Sequence, residues 1–207
     1  MVSNKLKSSN IVLNILGILL TLCISGYLVF ELGKINQATL EKKAIADTVT
    51  TIMNNYNCDN QEIREAILET FDPVLIAIVI GIESEYHVNA ISRAGCRGLM
   101  QLSPDKLEDW KDIHKNIQTG ARYLEEQIKR FGDLELAIAA YNAGPEAVNK
   151  YKGIPPFRET IQYVKKAKLL SANYNYIATV APTVQSNGIV MNQNTPKISP
   201  KNKGKNI

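Results

Sequence analysis

The sequence is poor in the residues that usually bind metals. Its 207 residues include only 3 cysteines and 2 histidines, and the histidines, His87 and His114, are far apart and have no cysteine neighbours. Because protein metal sites combine such ligands at short and regular spacings, this pattern argues against a metal site. We therefore expect no metal and no other cofactor.

A strong charge of either sign is also lacking. The chain has 24 basic and 20 acidic side chains, a formal net charge of +4, and part of the excess comes from lysines between Lys197 and Lys205. This balance does not imply a nucleic-acid partner, although mild basicity suits a polyanionic cell wall or an anionic membrane surface. From Asn173 onward no apolar face recurs, so we expect residues 173–207 to form a disordered tail.

One apolar run near the start of the chain is long. Ile11 to Phe30 gives about 20 residues without a charge, enough for a helix to cross a hydrocarbon core of roughly 30 Å. We expect a transmembrane signal anchor at residues 11–30, with residues 1–10 in the cytoplasm. A cleaved signal peptide is the alternative, since small residues surround Cys23, but the apolar run continues well beyond them. Lysines flank both sides of the run, so the positive-inside rule favours this orientation only weakly.

Helix start and stop signals follow a polar segment, residues 31–58, which we interpret as a helical stalk or linker. Alternating strand patterns are scarce, so residues 59–172 are predicted to form a mainly α domain, with a small sheet between Ile91 and Leu102 as an open alternative. The predicted start signals are Asp59 with Glu62, Asp72-Pro73, Ser103-Pro104 and Asp133, and the predicted helices cover 116–131, 134–143, a short stretch to Tyr151, and 157–172. In the last helix, Ile161, Val164, Lys168 and Leu169 are predicted along one side.

Cys58 and Cys96 fall within the main body of the chain. In an oxidising compartment an even pair favours a disulfide, which would stabilise the fold by roughly 4 kcal/mol through loop entropy. Two unpaired thiols are an equally good interpretation. The pairing is therefore left open by the sequence.

Glu83 closes an almost wholly apolar run from Pro73 to Ile82. At about 1.5 Å per residue the run is too short for a bilayer, so it predicts a buried helix of a globular domain. A carboxylate at its end is poorly solvated, which raises its pKa toward neutrality, as a general acid requires. The alternative is that Glu83 ends the apolar stretch and turns outward.

Four short motifs follow one another along the chain. They are Glu83-Ser84, Gly98-Leu-Met-Gln-Leu102, Ala140-Tyr-Asn-Ala-Gly144 and Glu159-Thr-Ile-Gln-Tyr163-Val164. In this order and at these separations they resemble the lytic transglycosylase domain of the soluble-lytic-transglycosylase (SLT) type, a relative of goose-type lysozyme. The resemblance covers about half of the chain. It implies a mainly α, lysozyme-like (goose-type) single catalytic domain behind the N-terminal membrane-anchor helix.

The resemblance also implies a reaction. Such enzymes cleave the β-1,4 bond between N-acetylmuramic acid (MurNAc) and N-acetylglucosamine (GlcNAc) of peptidoglycan without water, leaving a 1,6-anhydro-MurNAc end. Glu83 matches the catalytic carboxylate, which would act first as acid and then as base. The positions that match substrate-binding residues are Ser84, Met100, Gln101, Tyr141, Asn142 and Tyr163. Structural roles are the alternatives: a helix-surface serine for Ser84, internal hydrogen bonds for Tyr141 and Asn142, and a core tyrosine for Tyr163.

Two other functions stay open at this point. A goose-type lysozyme would hydrolyse the same bond, but it needs a further carboxylate facing the acid, and no Asp lies between Glu83 and Gln101. A catalytically silent peptidoglycan-binding assembly factor is the other. Because peptidoglycan lies outside the cytoplasmic membrane, we expect a single-pass protein of the bacterial inner membrane with its catalytic domain in the periplasm, or else a secreted one after signal cleavage. The expected partners are glycan strands, the cytoplasmic membrane and a secretion or conjugation apparatus, and not nucleic acid.

Overall fold

A computed structural model of the chain describes the backbone of residues 2–174 and the side chains of residues 20–174. Within this range it contains seven α-helices and no β-strand, so the predicted mainly α class is confirmed. The helices are α1 (Val2–Asn54), α2 (Gln61–Leu68), α3 (Pro73–Glu83), α4 (Ile113–Phe131), α5 (Leu134–Ala143), α6 (Pro145–Tyr151) and α7 (Arg158–Asn173). Apart from its first two residues, the predicted disordered tail lies outside the described residues.

Capping side chains fix where several helices begin. The Asp72 carboxylate accepts a hydrogen bond from the Leu75 backbone N–H at 3.1 Å, and Asp133 caps α5 in the same way. Because the first four N–H groups of a helix lack partners within it, each such cap stabilises the helix by about 1 kcal/mol. Both starts are confirmed. The cap of α2 is Asn60, whose side chain accepts from the third residue of that helix, so the prediction of Asp59 is wrong.

Two further expectations are corrected in the segment between α3 and α4. Ser103 does not begin a helix, because its carbonyl accepts from the Lys106 N–H and closes a turn, and α4 starts only at Ile113. The alternative of a small sheet reduces to two isolated antiparallel bridges, which join Arg97 to Ile91 and to Leu102. The segment is therefore a loop shaped by turns.

The chain divides into two compact units, the first ending at Ala44 and the second beginning at Ile45. The predicted stalk, residues 31–58, is thus shared between them. In the second unit the end of α1 belongs to the core, where Val49, Ile52 and Met53 are at most 2% exposed. The globular unit begins well before the predicted boundary at residue 59.

The N-terminal anchor stays a prediction. Among the described residues, no helix is both long enough and apolar enough to cross a bilayer. The side chains of residues 11–19, nearly half of the predicted span, are outside the description.

Helix α3 lies in the centre of the core and packs against α2 and α7. Its side chains from Leu75 to Ile80 are at most 1% exposed, as expected for a buried helix. At Gly81 the ring of Tyr56 lies so close that a Cβ atom would be 2.6 Å from Tyr56 Cε2. Because packed cores tolerate little displacement, Glu83 at the end of this helix is held in a rigid frame.

The buried face of α7 agrees with the prediction only at Val164, which is 4% exposed. Ile161 and Leu169 are 49% and 60% exposed, whereas Tyr163, Ala167 and Leu170 are buried. The buried residues recur at i, i+4 and i+7, which is the helical repeat of a core-facing stripe. This stripe directs the Tyr163 side chain toward α3.

Candidate active site

The carboxylate of Glu83 is partly buried and hydrogen-bonded. The Tyr163 hydroxyl donates to Glu83 Oε1 at 2.6 Å. Burial raises the pKa of Glu83 from 4.5 to about 7, and the negative charge of Glu159 adds to this rise. The hydrogen bond from Tyr163 and the charge of Lys166 act in the opposite direction. Glu83 therefore does not turn outward, and at neutral pH both its protonated and its ionised forms are populated.

Tyr163 is placed to remain a hydrogen-bond donor. Its side chain is buried, and burial together with the charge of Glu83 holds the pKa of Tyr163 well above its usual range. The phenol thus keeps its proton, and Glu83 Oε1 stays occupied as an acceptor. Oε2 is the oxygen left to exchange a proton with a ligand.

Glu83 lines a cleft of about 760 Å³. This volume lies within the usual range for ligand-binding pockets. The lining residues come from the end of α3, the loop between α3 and α4, helices α4 and α5, and the start of α7. The lining residues are Glu83, Ser92, Arg93, Ala94, Cys96, Gln101, Leu102, Ser103, Lys106, Tyr123, Tyr141, Asn142, Ala143, Phe157, Glu159 and Thr160.

Asn116 holds the loop that carries the second motif. Its Oδ1 accepts from the Met100 N–H at 2.9 Å, and its Nδ2 donates to the Arg97 carbonyl at 3.3 Å. Gly98 lies beside this amide with φ of +78°, and a Cβ atom there would collide with the Asn116 side chain. Glycine is therefore required at position 98 both for its backbone angle and for space. Asn116 was not predicted as a site residue, because the residues around it in the sequence carry no signal for this role.

Three of the predicted substrate-binding residues line the cleft. The Gln101 amide Nε2 donates to the carbonyls of Ala90 and Gly98, which leaves its Oε1 available. The Tyr141 hydroxyl donates to the Met100 carbonyl at 2.8 Å. Asn142 Oδ1 accepts from the Thr160 hydroxyl at 2.8 Å. Tyr141 and Asn142 thus combine the two predicted alternatives, because they lie on the cleft and also make internal hydrogen bonds.

Met100 and Ser84 do not line the cleft, which corrects their predicted placement. Met100 is fully buried, and its sulfur lies so close to Gly120 that a Cβ atom there would be 2.6 Å away. Ser84 is buried at the end of α3, where its hydroxyl donates to the Ile80 carbonyl at 3.3 Å. In both cases the side chain is satisfied by the protein interior, so neither faces a ligand.

The possible disulfide between Cys58 and Cys96 is not formed. Both cysteines are free thiols. Cys58 packs against the hydrophobic core, where burial raises its pKa, whereas Cys96 lines the cleft. The two side chains belong to different surroundings, so the interpretation as unpaired thiols is the correct one.

Several cleft residues were missed by the sequence reasoning. The most important is Glu159, whose charge acts on Glu83 from the start of α7. It lies four residues before Tyr163, and residues at this spacing share one face of a helix, so the fourth motif contained the signal. Arg93, Lys106 and Phe157 carried none. Among the described residues, no group of three His, Cys, Asp or Glu side chains is arranged to hold a metal ion.

Comparison with known proteins gives consistent matches. The sequence model of the transglycosylase SLT domain matches residues 60–164. A transglycosylase of Enterobacteria phage PRD1 is 33% identical over 118 residues, covering 53% of this chain and 43% of the phage protein. The membrane-bound lytic murein transglycosylase F of Desulfosudis oleivorans is 34% identical over 126 residues, covering 52% of this chain and 27% of that protein. The 70 kDa soluble lytic transglycosylase of Escherichia coli matches with a TM-score of 0.49 and 25% identity, over 57% of this chain and 24% of that one. The chain spans less than half the length of these relatives.

Proposed function

Since the chain belongs to the transglycosylase SLT family, we propose that it cleaves the β-1,4 bond between MurNAc and GlcNAc of peptidoglycan without water, leaving a 1,6-anhydro-MurNAc end. The observation that carries the proposal is the pair of Glu83 and Tyr163. A partly buried carboxyl with a pKa of about 7 accepts a 2.6 Å hydrogen bond in a cleft of about 760 Å³. A group of this kind can both give and take a proton near neutral pH.

In the first step Glu83 acts as the acid. Its Oε2 proton passes to the glycosidic oxygen while the bond between that oxygen and C1 of MurNAc breaks, so GlcNAc leaves with a 4-hydroxyl group. Burial prepares this step, because it disfavours the charged carboxylate and so keeps Glu83 protonated before the reaction. Positive charge then develops at C1, and the newly formed carboxylate lies in the same cleft to stabilise it.

In the second step Glu83 acts as the base. The C6 hydroxyl of the same MurNAc gives its proton to Glu83 while its oxygen bonds to C1, which closes the anhydro ring and restores the acid. No water is consumed and no second carboxylate is needed as nucleophile. The hydrogen bond from Tyr163 supports both steps, because it offsets part of the effect of burial and keeps the ionised form accessible.

Product analysis tests this proposal. The full-length protein and a Glu83→Gln variant are incubated with purified peptidoglycan, and the released fragments are examined by mass spectrometry. Glu85→Gln is the matched control, since Glu85 is an exposed carboxylate only two residues away. Anhydro-MurNAc ends are expected from the parent and from the control, and none from Glu83→Gln. Reducing MurNAc ends from the parent would contradict the reaction proposed.

Hydrolysis of the same bond is the second candidate, and Glu159 favours it. This residue lines the cleft and its charge acts on Glu83, which makes it a candidate for the further carboxylate that a lysozyme needs. A Glu159→Gln variant separates the two functions. In a hydrolase, loss of a water-activating carboxylate would abolish reducing ends. In a transglycosylase, anhydro ends would persist. A protein that binds peptidoglycan equally well with and without Glu83, and releases nothing, would be the assembly factor.

We also propose that residues 11–30 anchor the enzyme in the inner membrane, with the domain from Ile45 onward in the periplasm. The support is the uncharged run itself and the exposed apolar side chains at its end, such as Leu28, Val29 and Phe30. One relative, the transglycosylase F of Desulfosudis oleivorans, is named membrane-bound. Membrane fractions washed with alkaline carbonate should retain the protein. Release by this wash would contradict the anchor, and a soluble product shortened at Ser25 would establish signal cleavage.

A further inference from the structure

Two cationic residues of the loop between α3 and α4, Arg93 and Lys106, line the cleft. Residues 92–95 and residues 103–106 each form a turn that is closed by a backbone hydrogen bond, of 3.0 and 2.9 Å respectively. The isolated β-bridges that join Arg97 to Ile91 and to Leu102 hold the chain before and after Arg97 together. The backbone around both cationic residues is therefore held by turns of this loop.

Within the described part of the chain Arg93 and Lys106 take part in no ion pair, whereas Lys129 and Lys168 each have a carboxylate within 2.7 Å. Asp105, which precedes Lys106 in the chain, accepts a hydrogen bond from Ser103 that lowers its pKa, and the charge of Lys106 lowers the pKa of Asp105 further. Both cations are thus available to an anion that enters the cleft.

Two neighbouring tyrosine rings, tilted by 50° to each other, link Lys106 to the surroundings of Glu83. Its Nζ lies 4.2 Å from the centre of the Tyr123 ring, and the Tyr123 and Tyr141 ring centres are 5.5 Å apart. Tyr141 lies close enough to Glu83 for the charge of the acid to help raise its pKa, after burial. The cation–π contact restricts where the lysine can point. The cleft therefore holds positively charged side chains as well as the carboxyl of Glu83.

We propose that Arg93 and Lys106 bind a carboxylate carried by the lactyl substituent of a MurNAc residue, and so set the register in which the glycan strand enters the cleft. The inference rests on the proposed function. In a strand of alternating sugars only MurNAc carries this substituent, which ends in its own carboxylate or continues into a peptide stem with further carboxylates. GlcNAc has no such group. The charge pair thus selects MurNAc-containing strands and places MurNAc, not GlcNAc, at a fixed position relative to Glu83.

Binding experiments test this inference without relying on cleavage. The full-length Glu83→Gln protein is titrated with three oligosaccharides of equal length: an uncharged chito-oligosaccharide, a stem-free MurNAc–GlcNAc strand, and the same strand with peptide stems. An Arg93→Gln/Lys106→Gln variant is compared on the same background. Lys129→Gln/Lys165→Gln is the matched control, because it removes the same charge from residues that do not line the cleft.

We expect the cleft variant to bind the anionic strands roughly tenfold more weakly than the control at low ionic strength, and the difference to shrink as salt is added. Binding of the chito-oligosaccharide should be unchanged, which also shows that the variant is folded. A loss for the stem-free strand alone identifies the free lactyl carboxylate, a loss for the stem-bearing strand alone identifies the carboxylates of the peptide, and a loss for both shows that the two cations bind either carboxylate. Equal binding of all three ligands by variant and control would overturn the inference only. Failure of the parent to bind any strand would overturn the proposed function with it.

Discussion

Replacing Glu83 with glutamine is expected to stabilise the fold at alkaline pH much more than at acidic pH. Burial raises the pKa of this carboxyl from 4.5 in an exposed state to about 7 in the folded protein. Below pH 4.5 the group is neutral in both states, so its burial carries no electrostatic penalty. Above pH 7 it is ionised in both states, and the folded protein must hold a poorly solvated charge.

The size of the effect follows from the difference between the two pKa values. About 2.5 pH units correspond to roughly 3 kcal/mol of unfolding free energy, lost by the parent as pH rises from 4.5 to 7. Glutamine does not titrate, and its amide oxygen can still accept from Tyr163. The difference in unfolding free energy between Glu83→Gln and the parent should therefore grow by up to about 3 kcal/mol from pH 4.5 to 7. This growth does not depend on the size of the difference at low pH.

Urea unfolding of the full chain, followed by tryptophan fluorescence, measures this growth directly. The sequence has a single tryptophan, Trp110, which lies in the globular unit. The parent, Glu83→Gln and the control Glu85→Gln are compared at pH 4 and pH 8. A stability difference between Glu83→Gln and the parent that is the same at both pH values would refute the reasoning. An equal gain in stability at pH 8 for the control Glu85→Gln would also refute it. Glu85 is exposed, so replacing it removes no buried charge.

Three further predictions concern other parts of the molecule. Tyr163→Phe removes the hydrogen bond that favours the ionised form of Glu83. The pH at which kcat/KM falls on the alkaline side should therefore rise by about 1 pH unit, and kcat should drop about 10- to 100-fold. A pH–rate profile that does not move would contradict this. Gly98→Ala should destabilise the protein by several kcal/mol in thermal unfolding, against about 1 kcal/mol for Gly95→Ala, since both have positive φ but only position 98 lacks space. A chain that begins at residue 45 should fold by circular dichroism and one that begins at residue 59 should not, because the latter loses three buried side chains of α1, each contributing about 1.5–3 kcal/mol.

The first and last residues of helices were predicted well where the signal is local. Asp72 followed by Pro73 starts α3, and Gly132, with φ of +64°, ends α4. Such signals work because a cap needs only its own helix end. The same logic failed at Ser103, where a turn competes with the helix for the same backbone groups. Local propensity alone cannot decide that competition.

The sequence by itself determined which carboxyl is the candidate acid. A carboxyl that closes an almost wholly apolar helix is poorly solvated unless it turns outward, so the apolar run made Glu83 a candidate acid without coordinates. The order of the four motifs determined the family in the same way. The partner Tyr163 was identifiable too, because it belongs to the last of these motifs.

Only the tertiary structure decided which neighbouring side chains share the cleft with that acid. Met100 and Gln101 are adjacent in a loop without helical or strand periodicity. The contacts with Gly120 and Asn116 direct Met100 into the core and leave Gln101 on the cleft. Glu159 approaches Glu83 because α7 packs on α3, a contact between residues far apart in sequence. The end of α1 joins the core for the same reason. Each of these outcomes depends on long-range packing, and sequence patterns report only the local part of the energy that drives it.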